Sequence, residues 1–122
     1  MTPATKRILV IDDNAMAADG RARLLVLLGW DAASAYSAEA ARVSLVEPVD
    51  IILLDLGMAG MDGYEFVAVL RNEMGLTIPS VALTGHGLEE DKRRALSAGF
   101  TAHLTKPVGG KELHEVLIAL LT

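Results

Sequence analysis

A chain of 122 residues, 52% hydrophobic but only 4% aromatic, fits one ordinary domain with a core of Leu, Val, Ile and Ala. A formal net charge of −5 argues against a nucleic-acid surface, which is normally basic. Cysteine is absent, excluding disulfides and thiolate chemistry. No apolar run approaches the ~18 residues of a membrane span, and no signal-peptide pattern opens the chain. The expectation is a soluble cytoplasmic domain that contacts neither membrane nor nucleic acid.

Met1 to Thr5 read as a frayed start, and one domain is expected over residues 6–122. Lys6 to Ile11 gives a short buried strand ending in Asp12-Asp13-Asn14. Ala15 to Leu28 reads as a helix with Leu24, Leu25 and Leu28 on its inner stripe, stopped by Gly29 as a left-handed cap. Asp31 to Tyr36 is a weak, Ala-rich strand. Ser37 caps the next helix, with Glu39 and Ala40 in its first turn, and Pro48 closes it. Val49 to Leu54 follows as a strand whose run Ile51-Ile52-Leu53-Leu54 suits burial on both faces. Asp55 comes at once, and Gly57, Gly60 and Gly63 break the strand into a loop.

A third helix starts at Gly63 or Tyr64 and runs to about Asn72 or Met74, with Phe66, Val67 and Leu70 inward. Pro79 to Thr84 is a fourth buried strand, followed by Gly85-His86-Gly87. Leu88 to Ala98 is a helix with acids first and bases next, an order that suits the helix dipole and reads as a solvated face. Gly99 caps it. Phe100 to Thr105 forms a fifth strand, then Lys106-Pro107. The last helix, Gly110 to Leu121, turns Leu113, Val116, Leu117, Leu120 and Leu121 inward. Strict βα alternation implies a parallel sheet covered on both faces. The right-handed crossover rule then favours a flavodoxin-like (βα)5 doubly wound α/β fold with strand order 2-1-3-4-5.

Strand-end aspartates often do no more than cap turns, and Asp55 alone carries that reading equally well. Its company is what separates the two. In a parallel sheet Asp12, Asp13, Asp55, Thr84 and Lys106 all reach the C-terminal edge, where such sheets bind ligands. Carboxylates brought together there repel one another. Oxygen-only ligands suit Mg²⁺, with Mn²⁺ as a substitute, better than zinc or copper. A divalent ion and the Lys106 ammonium balance three carboxylates, and a site so balanced can accept a phosphoryl group.

From Arg7 onward the chain resembles receiver domains of the two-component response-regulator family. The resemblance rests on Asp12-Asp13, on Asp55 within Asp-Leu-Gly-Met-Ala-Gly-Met-Asp-Gly-Tyr-Glu, on Thr84 and on Lys106-Pro107. The stretches around Thr84-Gly85-His86 and His103-Leu104-Thr105 look closest to receivers of hybrid histidine kinases. The resemblance implies that Asp55 is the phosphoacceptor. It also implies that Asp13, Asp55 and the Gly57 carbonyl bind Mg²⁺ directly, and Asp12 mostly through water. Thr84 and Lys106 would contact phosphoryl oxygens, Pro107 would follow a cis bond, and His103 stands where a switch aromatic is usual. Gly57 and His86 flank the path of the hydrolytic water, so His86 is the group expected to tune phosphoryl lifetime. The implied partner is a histidine kinase or histidine phosphotransfer domain, with an output domain fused or separate. Such a module is not an enzyme, although it supports its own phosphotransfer and slow autodephosphorylation.

Two departures loosen loops without removing a ligand: Ala59 where the family usually has Pro, and Gly85 where it commonly has Ala. Met58, Met61 and Met74 read as gap fillers, and His86, His103 and His114 read equally as surface residues. Zinc binding by His86 and His103 conflicts with the hard oxygens nearby. Rival functions fare worse. A flavin electron carrier needs a phosphate cradle where Asp12-Asp13 stands. An aspartate phosphatase needs a second carboxylate where Gly57 stands. A phosphorylation-independent interaction module leaves the full polar set unexplained.

Overall fold

The computed structural model describes residues 6–57, 63–85 and 89–121, the side chains of 89–91 excepted. Its strands are β1 (Arg7–Ile11), β2 (Asp31–Ala35), β3 (Ile51–Asp55), β4 (Ser80–Thr84) and β5 (Ala102–Thr105). The helices between and after them are α1 (Ala15–Leu27), α2 (Ala38–Ser44), α3 (Gly63–Asn72), α4 (Glu89–Ala98) and α5 (Gly110–Leu121). All strand pairs are parallel, in the order β2-β1-β3-β4-β5 that the alternation predicts.

β3 lies in mid-sheet and every residue of it is buried. Its side chains alternate between two apolar layers, as the strand pleat requires. Ile52 and Leu54 join Leu9, Ile11, Phe66, Val67, Leu70 and Ala95 beneath α2, α3 and α4. Ile51 and Leu53 join Ile8, Val10, Leu25, Val81, Leu113 and Leu117 beneath α1 and α5. The expected inner faces of α3 and α5 are thus in place, with Val116, Leu120 and Leu121 packed at the margin of the second layer.

α1 departs from expectation. Its buried residues are Ala18, Ala22 and Leu25, while Leu24 is half-buried and Leu28 is exposed beyond the helix end. Alanines at that face let the helix close on the sheet. The Gly29 cap has φ +100°, and Gly99 after α4 has φ +118°, both in the left-handed region. α2 stops at Ser44, several residues short of Pro48, and Ser37 Oγ accepts the Ala40 N–H at its start. All five strands begin or end a residue or two away from the expected limits; β3 takes in Asp55, β4 leaves out Pro79, and β5 leaves out buried Phe100.

Polar contacts of Arg71 and of His114 help fasten the fold outside the polar edge. Arg71 reaches from α3 to Leu76 O at 2.9 Å, Gly99 O at 3.1 Å and Ser80 Oγ at 3.3 Å, tying three segments around buried Ser80. Burial lowers the Arg71 pKa from its ordinary value. His114 is more than a surface residue, because its Nδ1 accepts the Trp30 Nε1–H at 3.1 Å across the α5 layer. Met74 packs at the margin of the first layer, whereas Met58, Met61, Ala59 and residues 1–5 lie outside the described residues.

Candidate functional site

Parallel pairing brings the C-terminal ends of β1, β3, β4 and β5 to one edge. Register fixes their order: Ile11 lies against Leu54, Asp55 against Leu83, and Thr84 against Thr105. Asp12 continues β1, its N–H donating to Ala35 O at 3.1 Å. Its Oδ1 accepts the Asn14 N–H at 3.0 Å, and the Asn14 side chain in turn caps α1 by accepting the Ala17 N–H at 3.1 Å. One turn of backbone therefore orients a carboxylate and starts a helix together. Lys106 is placed just as firmly, its N–H donating to Thr84 O at 2.7 Å before the cis Lys106–Pro107 bond.

One carboxylate oxygen from each of Asp12, Asp13 and Asp55 lies within 4.8 Å of the other two. Asp12 is only 2% exposed and Asp55 8%, while Asp13 is open to solvent. Asp55 Oδ1 accepts the Gly57 N–H at 3.1 Å and faces Lys106 Nζ at 2.8 Å. Burial pushes the Asp55 carboxyl up, but the Lys106 hydrogen bond, the Gly57 N–H and the Lys106 charge prevail and hold it below the usual carboxylate range. Asp55 is therefore an anion, positioned and unprotonated at neutral pH.

A pocket of ≈ 380 Å³ opens beside it, lined by Asp55, Leu56, Gly57, Tyr64, Thr84, Gly85 and Lys106. Space to receive a ligand thus adjoins Asp55, with the Lys106 ammonium beside it. At Gly57 an added Cβ would stand 3.8 Å from Asp55 Oδ1, its one contact among the described residues. The donor set fits Mg²⁺ or Mn²⁺: the cluster holds three hard carboxylates and, among the described residues, no imidazole or thiolate.

His103 lies between Ala102 and Leu104, which pack with the α1/α5 layer, so its position on β5 belongs to the opposite, α4 side. Its Nε2 is buried without a hydrogen-bond partner among the described residues. His86 lies outside the described residues. Sequence reasoning missed Arg21, whose Nη1 lies 3.4 Å from Asp12 Oδ2. It had a signal, for a cation at position 21 interrupts the inner stripe of Ala18, Ala22 and Leu25. Tyr64 was missed too; it lines the pocket, with the Arg94 guanidinium 4.1 Å above its ring.

Known proteins resemble this chain in sequence and in fold. The sequence profile of the response regulator receiver domain matches residues 8–118. The chain is 36% identical over 111 residues to sensor histidine kinase RcsC of Salmonella typhi, spanning 90% of this chain and 12% of that protein. It is 38% identical over 110 residues to the phosphate regulon transcriptional regulatory protein PhoB of Klebsiella pneumoniae, spanning 88% of this chain and 48% of that one. The chain thus covers a small part of a kinase and about half of a transcriptional regulator. The receiver domain of Francisella response regulator 1452 superposes with a TM-score of 0.88 at 26% identity, covering 95% of this chain and 96% of that one.

Proposed function

The chain belongs to the response regulator receiver domain family, and from that membership we propose that Asp55 accepts a phosphoryl group from a phosphohistidine. The observation that carries the reading is the Asp55 carboxylate, held anionic against Lys106 at 2.8 Å and facing a pocket shared with Thr84. A carboxylate is a weak nucleophile, so catalysis rests on positioning and on charge placed where the phosphoryl oxygens arrive.

One Asp55 oxygen attacks phosphorus as the phosphorus–nitrogen bond to the donor imidazole breaks. The phosphoryl group passes to Asp55 as a mixed anhydride, and the imidazole leaves with its electron pair and takes a proton from solvent. Lys106 turns from Asp55 Oδ1 toward the new phosphoryl oxygens, and the Thr84 hydroxyl donates to another. Asp12, Asp13, Asp55 and the Gly57 carbonyl are the groups that would hold Mg²⁺. When bound, the ion neutralises charge on the transferring oxygens.

Because Asp55 is consumed in each transfer and regenerated by hydrolysis, the domain is a signalling module rather than an enzyme. Its partner is a histidine kinase or histidine phosphotransfer domain in the cytoplasm, and the similarity to RcsC supports that class of donor. Phosphorylation shifts the population between two packings of α4, β5 and α5, with Thr84 and His103 as the moving side chains. His103 supports this reading, since its buried Nε2 has no hydrogen-bond partner among the described residues and such a ring is held weakly where it is. Incubation with a phosphorylated histidine phosphotransfer domain and Mg²⁺ tests the proposal. Transfer to the wild type and none to Asp55→Asn is the expected result; equal transfer to both would refute it.

A further inference from the structure

Asp12 is more deeply buried than Asp55, and both its oxygens are engaged. Oδ1 takes the Asn14 N–H at 3.0 Å, while Oδ2 faces Arg21 Nη1 at 3.4 Å. The Arg21 side chain is itself only 16% exposed, although it sits on a helix with ample open surface for a cation. At 3.4 Å the contact is long for a directed hydrogen bond and acts mainly through charge. Asp12 Oδ2 is thereby neutralised without being saturated, and another cation can share it.

We propose that Arg21 is a positioning residue that sets the charge balance of the acidic edge, weakening capture of the divalent cation and strengthening uptake of the anion that follows. The inference rests on Asp55 being the phosphoacceptor. Three carboxylates with Lys106 alone leave two net negative charges; Arg21 leaves one. A divalent cation then makes the site positive by one, and replacing the Asp55 carboxylate by a dianionic acyl phosphate brings it to neutrality. Without Arg21 the same final state carries a net negative charge beside the buried Asp12, where repulsion is screened less than in open water. The two ligands of the site therefore respond to Arg21 with opposite sign. A residue that only supported the fold would move both in the same direction.

The test is calorimetric titration of wild type, Arg21→Gln, Arg21→Met and Arg21→Lys with Mg²⁺ alone, then with beryllofluoride at saturating Mg²⁺. Beryllofluoride forms a tetrahedral anionic adduct on a carboxylate and stands for the phosphoryl group. The neutral variants should bind Mg²⁺ about 5-fold more tightly and beryllofluoride about 5-fold more weakly, from one unit charge at partly screened range. Arg21→Lys should stay near the wild type in both. Neutral variants that leave both constants unchanged, or move them the same way, would overturn the role of Arg21. A wild type that takes up neither ligand would instead overturn the Asp55 reading beneath it. If Arg21→Gln does not fold, Arg21→Met, which keeps the apolar stem, decides between these outcomes.

Discussion

Asp55 stays ionised at a buried strand end because an ammonium and a backbone N–H outweigh the cost of desolvation. The linkage sign follows. A carboxyl whose folded pKa lies below its unfolded value contributes stability above the unfolded pKa and loses it as pH falls through the folded pKa. In the presence of chelator, unfolding free energy should therefore fall below about pH 5, and Asp55→Asn should flatten that fall. Urea titrations from neutral to acidic pH would check it; parallel curves for the two proteins would deny Asp55 this role. Gly99 offers a second test among single residues. Its φ of +118° disfavours a side chain, and an added Cβ would lie 3.3 Å from Arg71 Cγ. Gly29 has a similar φ of +100° with none of the described residues within 4 Å of an added Cβ. Gly29→Ala should cost about 1 kcal/mol from backbone strain, and Gly99→Ala measurably more. Chemical denaturation resolves the difference.

Among the elements, β3 was legible in sequence because four consecutive apolar residues flanked by acid and glycine leave little else for that stretch to be. Convergence of Asp12, Asp13, Asp55, Thr84 and Lys106 followed from parallel pairing alone, since that topology puts all C-terminal strand ends on one edge. α1 was legible in extent but misjudged in face. Leucine weighs more than alanine in a periodicity reading, yet Ala18 and Ala22 are what a close helix–sheet contact requires. The Trp30–His114 pair escaped because its partners stand far apart along the chain, which local pattern cannot supply. Arg21 lies near Asp12 in sequence and escaped because a cation on a helix reads by default as solvated. At this scale the switch makes its own prediction. If α4, β5 and α5 repack on phosphorylation, amide NMR shifts should extend across residues 86–116 and not stop near Asp55. Shifts confined to the neighbours of Asp55 would defeat the population-shift reading.

For the molecule as a whole, three carboxylate oxygens within 4.8 Å of one another amount to repulsion built into the native state. A divalent cation that binds only the folded chain relieves it and stabilises by mass action. Millimolar Mg²⁺ should raise the thermal midpoint by several degrees, about 1–3 kcal/mol at 10- to 100-fold excess over Kd. Asp13→Asn should lose most of that rise, and a melting curve indifferent to Mg²⁺ would count against the cluster as an ion site. The aliphatic core beneath is indifferent to the ion, so Leu54→Ala should cost about 2–5 kcal/mol with or without it.

The central claim, that Asp55 is the phosphoacceptor, has a direct chemical readout. An aspartyl phosphate is an acyl phosphate, and borohydride reduces it to homoserine while leaving phosphoserine, phosphothreonine and free carboxylates unchanged. Wild-type protein phosphorylated in the presence of Mg²⁺ should, after borohydride reduction and peptide mass spectrometry, carry homoserine at position 55 and at no other aspartate. Homoserine at position 12 or 13 in place of 55, or a phosphoryl group that survives borohydride on another residue type, would contradict the account.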